Sequence, residues 1–146
     1  MRILSLNGNG IRACLKKGLV RWWESTDADL LLFQEVRHDD AAFIAASFPD
    51  CWTSLHTAEK KGYSGVAIIA KTPPIRVVHG MNRPEFDLEG RVMRVDYPGV
   101  TLLNVYFPSG ASKPERQAVK LAFLDAFRQY LTQVEREVPQ VIVGAD

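Results

Sequence analysis

The sequence predicts a layered α/β or α+β fold, with sheets inside and helices outside. Three patterns predict it. The continuous apolar run Leu30-Leu31-Leu32-Phe33 suits a strand buried on both faces. Apolar stretches separated by Lys60-Lys61-Gly62-Tyr63 and by Pro98-Gly99 suit hairpins. A long segment, about Lys113 to Glu137, repeats apolar residues at i, i+3, i+4 and i+7, and such a stripe must lie on a sheet.

In chain order, Arg2 to Asn7 reads as a strand that stops at Asn7-Gly8-Asn9-Gly10, four residues that tolerate positive φ. One helix is expected from about Ile11 to Glu24, on the spacing of Leu15, Leu19, Trp22 and Trp23. The strand Asp29 to Glu35 follows, then a short helix over Asp40 to Phe48. Trp52 to Thr57 and Gly65 to Ala70 form the first hairpin. Ile75 to His79, Gly90 to Tyr97 and Val100 to Phe107 are three further strands, the last two joined tightly through Pro98-Gly99. In the long helix the core stripe is Val119, Ala122, Phe123, Ala126, Phe127, Tyr130, Leu131 and Val134. Val141 to Val143 reads as a final buried strand with Asp146 at its end.

Composition narrows the class. The 146 residues suffice for one domain with one sizeable core. With 47% hydrophobic and 24% charged residues the chain is an ordinary globular sequence rather than a disordered one. It has neither an apolar run that spans a membrane nor a secretory leader, so the expectation is a cytoplasmic protein. Cys14 and Cys51 match no zinc or redox spacing and read as two reduced thiols. The net charge of +1 gives no global support to nucleic-acid binding. Locally, Arg12, Lys16, Lys17 and Arg21 cluster, as do Lys60 and Lys61, and each cluster reads equally as a solvated face.

Three expected strands end in an oxygen-bearing residue: Asn7, Glu35 and Asp146. Strand ends in a layered sheet converge on one rim, where ligands bind. One amide and two carboxylates are hard ligands that suit Mg²⁺ or Mn²⁺ rather than zinc, and Mg²⁺ completes its shell with water and phosphate oxygens. The set is suited to a phosphate-processing site.

Six segments then carry a family resemblance. Ser5-Leu6-Asn7-Gly8-Asn9-Gly10-Ile11-Arg12-Ala13 resembles the opening motif of the exodeoxyribonuclease III and AP endonuclease family. Leu32-Phe33-Gln34-Glu35 resembles its metal-binding motif, and Gly62-Tyr63-Ser64-Gly65-Val66-Ala67 its following hairpin. Glu89-Gly90-Arg91-Val92 and Asn104-Val105-Tyr106-Phe107-Pro108-Ser109-Gly110 resemble the segments bearing its phosphate-contacting Arg and its active-site Tyr. Val141 to Asp146 resembles the strand entering its Gly-Asp-x-Asn motif. The departures are Val36 and Arg37, where the family usually has Thr and Lys, and Ala145, where it has Gly.

The resemblance implies a deoxyribonuclease I-like four-layered α/β sandwich, with mixed, mostly antiparallel sheets and outer helices. Residues 1–146 would be about half of it, a single C-terminally incomplete domain whose other half is missing and whose exposed sheet face lacks a partner. It implies a Mg²⁺-dependent DNA-repair nuclease acting on double-stranded DNA at abasic sites or 3′ ends, with Mn²⁺ as an alternative ion. Bacterial members would associate with the nucleoid. Glu35 would hold the metal, with Asn7 beside it and Asn9 supporting both. Asp146 would orient or deprotonate the attacking water, and Tyr106 would face the phosphate as a donor or, if ionised, as a participant. Arg12 and Arg91 would grip DNA phosphates. The family's later Asn, its further metal-binding Asp and its Asp-His pair have no counterpart, since His38, His56 and His79 stand in other contexts. The alternative is a catalytically inactive DNA- or partner-binding half-domain.

Overall fold

In the computed structural model, which describes residues 1–111 and 113–146, the chain forms two four-stranded sheets packed face to face, with helices on both outer sides. The first sheet contains β1 (Ile3–Asn7), β2 (Leu30–Gln34), β3 (Trp52–His56) and β4 (Val66–Ala70), in the order β1-β2-β4-β3. The second contains β5 (Arg76–His79), β6 (Val92–Tyr97), β7 (Val100–Val105) and β8 (Val141–Ala145), in chain order. The pairs β1/β2 and β7/β8 are parallel and the other four antiparallel, so the sheets are mixed and mostly antiparallel.

The apolar runs are continuous because both faces of each central strand are covered. In β2, Leu30 and Leu32 point between the sheets, toward Met93, Val95, Tyr97 and Leu102. Leu31 and Phe33 point outward against Ile11, Leu19, Trp23 and Ile44 of α1 (Ile11–Lys16), α2 (Leu19–Ser25) and α3 (Ala41–Ser47), and against Phe48, which follows α3. On the far side, Val92, Leu103 and Val105 meet α4 (Pro84–Asp87) and the long α5 (Pro114–Glu137). Phe123, Ala126, Phe127 and Val134 form the buried part of the expected α5 stripe, while Ala122 lies on the exposed side.

Four expectations change. The helix expected from Ile11 to Glu24 is two helices, because Lys17 ends the first and Gly18, at φ 95, turns the chain before the second. The four-residue α4 was not anticipated, being too short to show periodicity. The final strand is an edge strand, with Ile142 and Val143 36% and 39% exposed, and not a buried one. The expected open sheet face is not seen among the described residues: the central strands of both sheets are covered on both faces, and the edge strands are β1 and β3 of the first sheet and β5 and β8 of the second, with β1 and β8 beside each other. Cys14 and Cys51 are both free thiols, as expected.

Polar contacts also cross between the sheets, and the most buried are those of Gln34 and Asn104. Gln34 Nε2 donates to Asn104 Oδ1 at 2.8 Å and to Ser5 Oγ at 2.9 Å. Asn104 Nδ2 donates to the carbonyls of Ala67 and Phe33, at 2.8 and 3.2 Å. Both amides are buried. Asn104→Ala is expected to cost about 1–3 kcal/mol, because it leaves two buried carbonyls and an amide short of partners. Urea denaturation measures this, and an unchanged midpoint counts against the amide bridge.

Asp96 anchors a second buried group. Burial pushes its carboxyl up, but Arg94, at 2.8 and 3.1 Å, and the Thr101 hydroxyl, at 2.7 Å, outweigh burial and hold it below the usual range. A carboxyl with a depressed folded value contributes stability above the unfolded pKa of about 3.9 and loses it as pH falls through the folded value. Asp96→Asn should therefore flatten the loss of stability below about pH 4. Melting curves from pH 7 to 2 check the slope.

Candidate active site

The site is built at the end of the sandwich where β1, β2, β7 and β8 terminate. The parallel register pairs Asn7 with Gln34, so Asn7 and Glu35 emerge side by side. On the second sheet, Val105 pairs with Ala145, so Tyr106 and Asp146 emerge together. Asp146 N–H donates to the Val105 carbonyl at 3.1 Å, and Phe107 N–H to the Asp146 carbonyl at 2.9 Å. The two edges then meet: Asn7 Nδ2 donates to Asp146 Oδ2 at 2.8 Å. Asn7 is itself fixed, since Asn9 N–H donates to its Oδ1 at 2.9 Å. The three oxygen-bearing residues read from strand ends thus share one rim.

The rim is held in uncommon backbone geometry. Asn9, Glu35, Arg37 and Ser64 all have φ between 49 and 58. Such residues persist only where their surroundings over-determine them, and functional sites are where they gather. Here main-chain bonds lace three loops together: Gly10 N–H to Glu35 O at 2.8 Å, Ile11 N–H to Val36 O at 2.9 Å, and Arg37 N–H to Ser64 O at 2.8 Å. Glu35 pairs with Arg37, and its side chain keeps 13% exposure.

Tyr106 lies between Glu35 and Arg91. Burial and then the Glu35 carboxylate push its phenol up, against the opposing pull of Arg91 and Arg37. The side chain therefore stands protonated, as a donor. Arg91 is 2% exposed and fully engaged. Its Nε donates to Glu89 Oε2 at 2.6 Å, its Nη1 to the Tyr106 carbonyl at 3.1 Å and its Nη2 to the Tyr63 hydroxyl at 2.9 Å. Its guanidinium also lies 5.0 Å from the Tyr106 ring centroid. Contact with a phosphate would require it to exchange one of these partners. Arg12 is exposed, on the first turn of α1, with its guanidinium 6.0 Å from the centroid of the Phe43 ring.

Glu35, Arg37, Arg91 and Tyr106 open into a cleft of about 770 Å³, lined also by Tyr63, Glu89 and the cations Lys60, Lys61 and Arg116. The cations outnumber the carboxylates, so the cleft favours an anionic ligand. Sequence reasoning gave no role to Arg37, Tyr63, Glu89, Gln34, Asn104 or Arg116. Four of them stand in motif segments, Arg37 lies just beyond one, and an Asn inside the apolar stretch Leu102–Val105 was a readable signal. Arg116, which donates to the Tyr63 hydroxyl at 3.2 Å, lies on α5 and had none.

The donor set fits a hard divalent cation. Among the described residues no group of three His, Cys, Asp or Glu side chains gathers to hold a metal ion by themselves. One carboxylate, Glu35, with the Asn7 amide oxygen nearby matches an ion that takes few protein ligands and fills its shell with water and phosphate oxygens.

Comparison with known proteins fits this geometry. The model of the endonuclease/exonuclease/phosphatase family matches residues 4–146. An exodeoxyribonuclease of Bacillus subtilis is 30% identical over 99% of this chain and 57% of its own length. The DNA repair nuclease APEX1 of Danio rerio is 33% identical over 99% of this chain and 48% of its own. The crystal structure of the Xenopus laevis APE2 catalytic domain superposes with a TM-score of 0.85 at 27% identity, over all of this chain and 58% of that one. The fold is thus the deoxyribonuclease I-like sandwich, and the chain spans about half the length of the curated relatives it matches.

Gly90 tests how tightly the site is braced. It has φ 59, and a Cβ there would lie within 2.7 Å of the backbone of Thr57 and Ala58. Gly90→Ala should cost about 1–3 kcal/mol from backbone strain alone, and it should displace Arg91 from Tyr63 and Tyr106. Thermal melts with Tyr fluorescence report both effects, and a neutral result contradicts the close approach.

Proposed function

The chain belongs to the endonuclease/exonuclease/phosphatase family, and from that premise we propose that it serves as a divalent-metal-dependent DNA-repair nuclease, hydrolysing phosphodiesters of double-stranded DNA at abasic sites or 3′ ends. The observation that carries this reading is the Asn7–Asp146 bond, which brings the last strand end to the first, on the rim from which Glu35 emerges to line a cationic cleft. The names of the relatives from Bacillus subtilis and Danio rerio support it. On the same reading the protein works in the cytoplasm, or at the nucleoid if bacterial.

Hydrolysis of a phosphodiester requires neutralisation of its anionic oxygens before water can attack. Arg37, Lys60 and Lys61 line the cleft with that charge, and the exposed Arg12 adds a grip on a flanking phosphate. Glu35 would hold Mg²⁺ (or Mn²⁺), with Asn7 beside it and Asn9 keeping Asn7 in place. When bound, the ion supplies Lewis-acid stabilisation of a phosphoryl oxygen and of the leaving 3′ oxygen. Tyr106, protonated and beside Glu35, would donate to the phosphate. Asp146 has Oδ2 engaged by Asn7, which leaves Oδ1 to orient the attacking water and accept its proton. Arg91 acts through others: it positions Tyr106 and Tyr63 and keeps Glu89 paired.

A second reading, a non-catalytic DNA- or partner-binding module, rests on the partial coverage of the relatives. Cleavage of an abasic-site duplex, with Mg²⁺ titrated, separates the two. In the protein expressed from its intact gene, Glu35→Gln and Asp146→Asn should each lower kcat by at least ~10²-fold, the scale of a lost charge-stabilising or acid–base group. Glu35→Gln should also raise the Mg²⁺ requirement. Wild-type protein that binds the duplex without cutting it at any Mg²⁺ concentration supports the module instead.

A further inference from the structure

On the outer side of the first sheet, α3 presents an aromatic residue to solvent. α3 buries Ile44 to 1% exposure and is followed by Phe48 at 2%, yet Phe43 remains 38% exposed. Its backbone is pinned, because Asp40 Oδ1 accepts from Phe43 N–H at 3.0 Å. The His38 ring meets it edge-on, centroids 4.8 Å apart at 79°, and fixes its plane. His38 follows Arg37, the partner of Glu35, so the ring belongs to the same rim as the proposed reaction centre. Arg12 reaches over it from α1, its guanidinium 6.0 Å from the ring centroid. Lys16, four residues further along α1, shares the exposed side of that helix with Arg12.

A rigid exposed ring beside a row of cations is the combination by which proteins hold single-stranded nucleic acid. The cations follow the phosphates and the ring takes the face of a base, without regard to sequence. Bases inside a duplex are already stacked and unavailable, so such a ring distinguishes unpaired nucleotides from paired ones. We propose that Phe43, with Arg12 and Lys16, forms a platform for an unpaired nucleotide flanking the reaction centre, so that the protein favours DNA with a frayed or overhanging end. Arg12 makes the platform switchable. At 6.0 Å its hold on the ring is weak, and an arriving phosphate draws the guanidinium away and frees the ring face for the base. This inference rests on the reading of the protein as a DNA nuclease and adds which DNA it prefers.

The test is fluorescence anisotropy on the protein expressed from its intact gene, in EDTA so that nothing is cut. Two labelled probes are compared: a blunt duplex, and the same duplex with a short single-stranded overhang. Wild type should bind the overhang probe more tightly. Phe43→Ala and Phe43→Leu should both lose roughly 5- to 150-fold on that probe, the effect of one base–aromatic stack, and little on the blunt one. Phe43→Trp should retain the preference, and melting temperatures of all three should match wild type, because the ring lies outside the core. Arg12→Ala should weaken both probes and reduce the salt slope by about one. Equal losses on both probes, or full binding by Phe43→Leu, overturn the platform while leaving the nuclease reading intact. If wild type binds neither probe, both readings fall.

Discussion

Gln34 and Asn104 join the two sheets by a direct, buried amide–amide contact in a mostly apolar layer. Apolar packing between sheets is tolerant of sliding, since one Leu or Val replaces another at similar cost. A buried amide pair is not, because a shift of one residue leaves each partner unsatisfied, at about 1–3 kcal/mol per group. The bridge therefore fixes β2 against β7. Glu35 follows Gln34 directly, and Tyr106 lies two residues past Asn104 on the same strand line. Locking the amides brings the carboxylate and the phenol together at the rim. Ser5, the third member, ties β1 into the same register and so places Asn7.

Around this fixed point the rim combines strain with compensation. Four residues other than Gly hold φ near 50, and each costs of order 1–3 kcal/mol. The main-chain bonds between the Gly8–Ile11, Glu35–Arg37 and Ser64–Gly65 loops offset that cost collectively, so no one loop can relax without breaking its neighbours' bonds. The buried Arg91 extends the brace to the second sheet. It replaces the water that Glu89, Tyr63 and the Tyr106 carbonyl would otherwise need, which leaves the more exposed cations, Arg37, Lys60, Lys61 and Arg116, to face a ligand.

The sequence made the layers and most elements legible, because strands covered on both faces leave continuous apolar runs and a long surface helix leaves a 3.6-residue stripe. Asn7, Glu35 and Asp146 were legible as polar residues ending such runs, and the Asn7–Asp146 bond joins two of them. The break at Gly18 was hidden, since Leu15, Leu19 and Trp22 continue a helical spacing across it and a lone Gly does not announce positive φ. The exposure of Ile142 and Val143 was hidden too: their composition is that of a buried strand, and only the sheet order shows that β8 lies at an edge. Arg91 looked like a surface cation in its motif, but burial is a property of the assembled sheets. Arg116 reaches Tyr63 across 53 residues, and no local pattern records such a contact.

The pairing of Glu35 with Arg37 bears on how the site meets a cation. Arg37 is 47% exposed while Glu35 keeps 13%, so the pair sits at the solvent boundary and is screened from the arginine side. On the proposed function, Arg37 would give up Glu35 to a divalent ion. It would then remain in the cleft with its charge free for a phosphate. An arginine suits this second role better than the lysine usual in the family, because its planar fork can engage two phosphate oxygens at once. The departure at Arg37 therefore keeps the charge beside Glu35 and, on the proposed function, would add a directional contact to a phosphate.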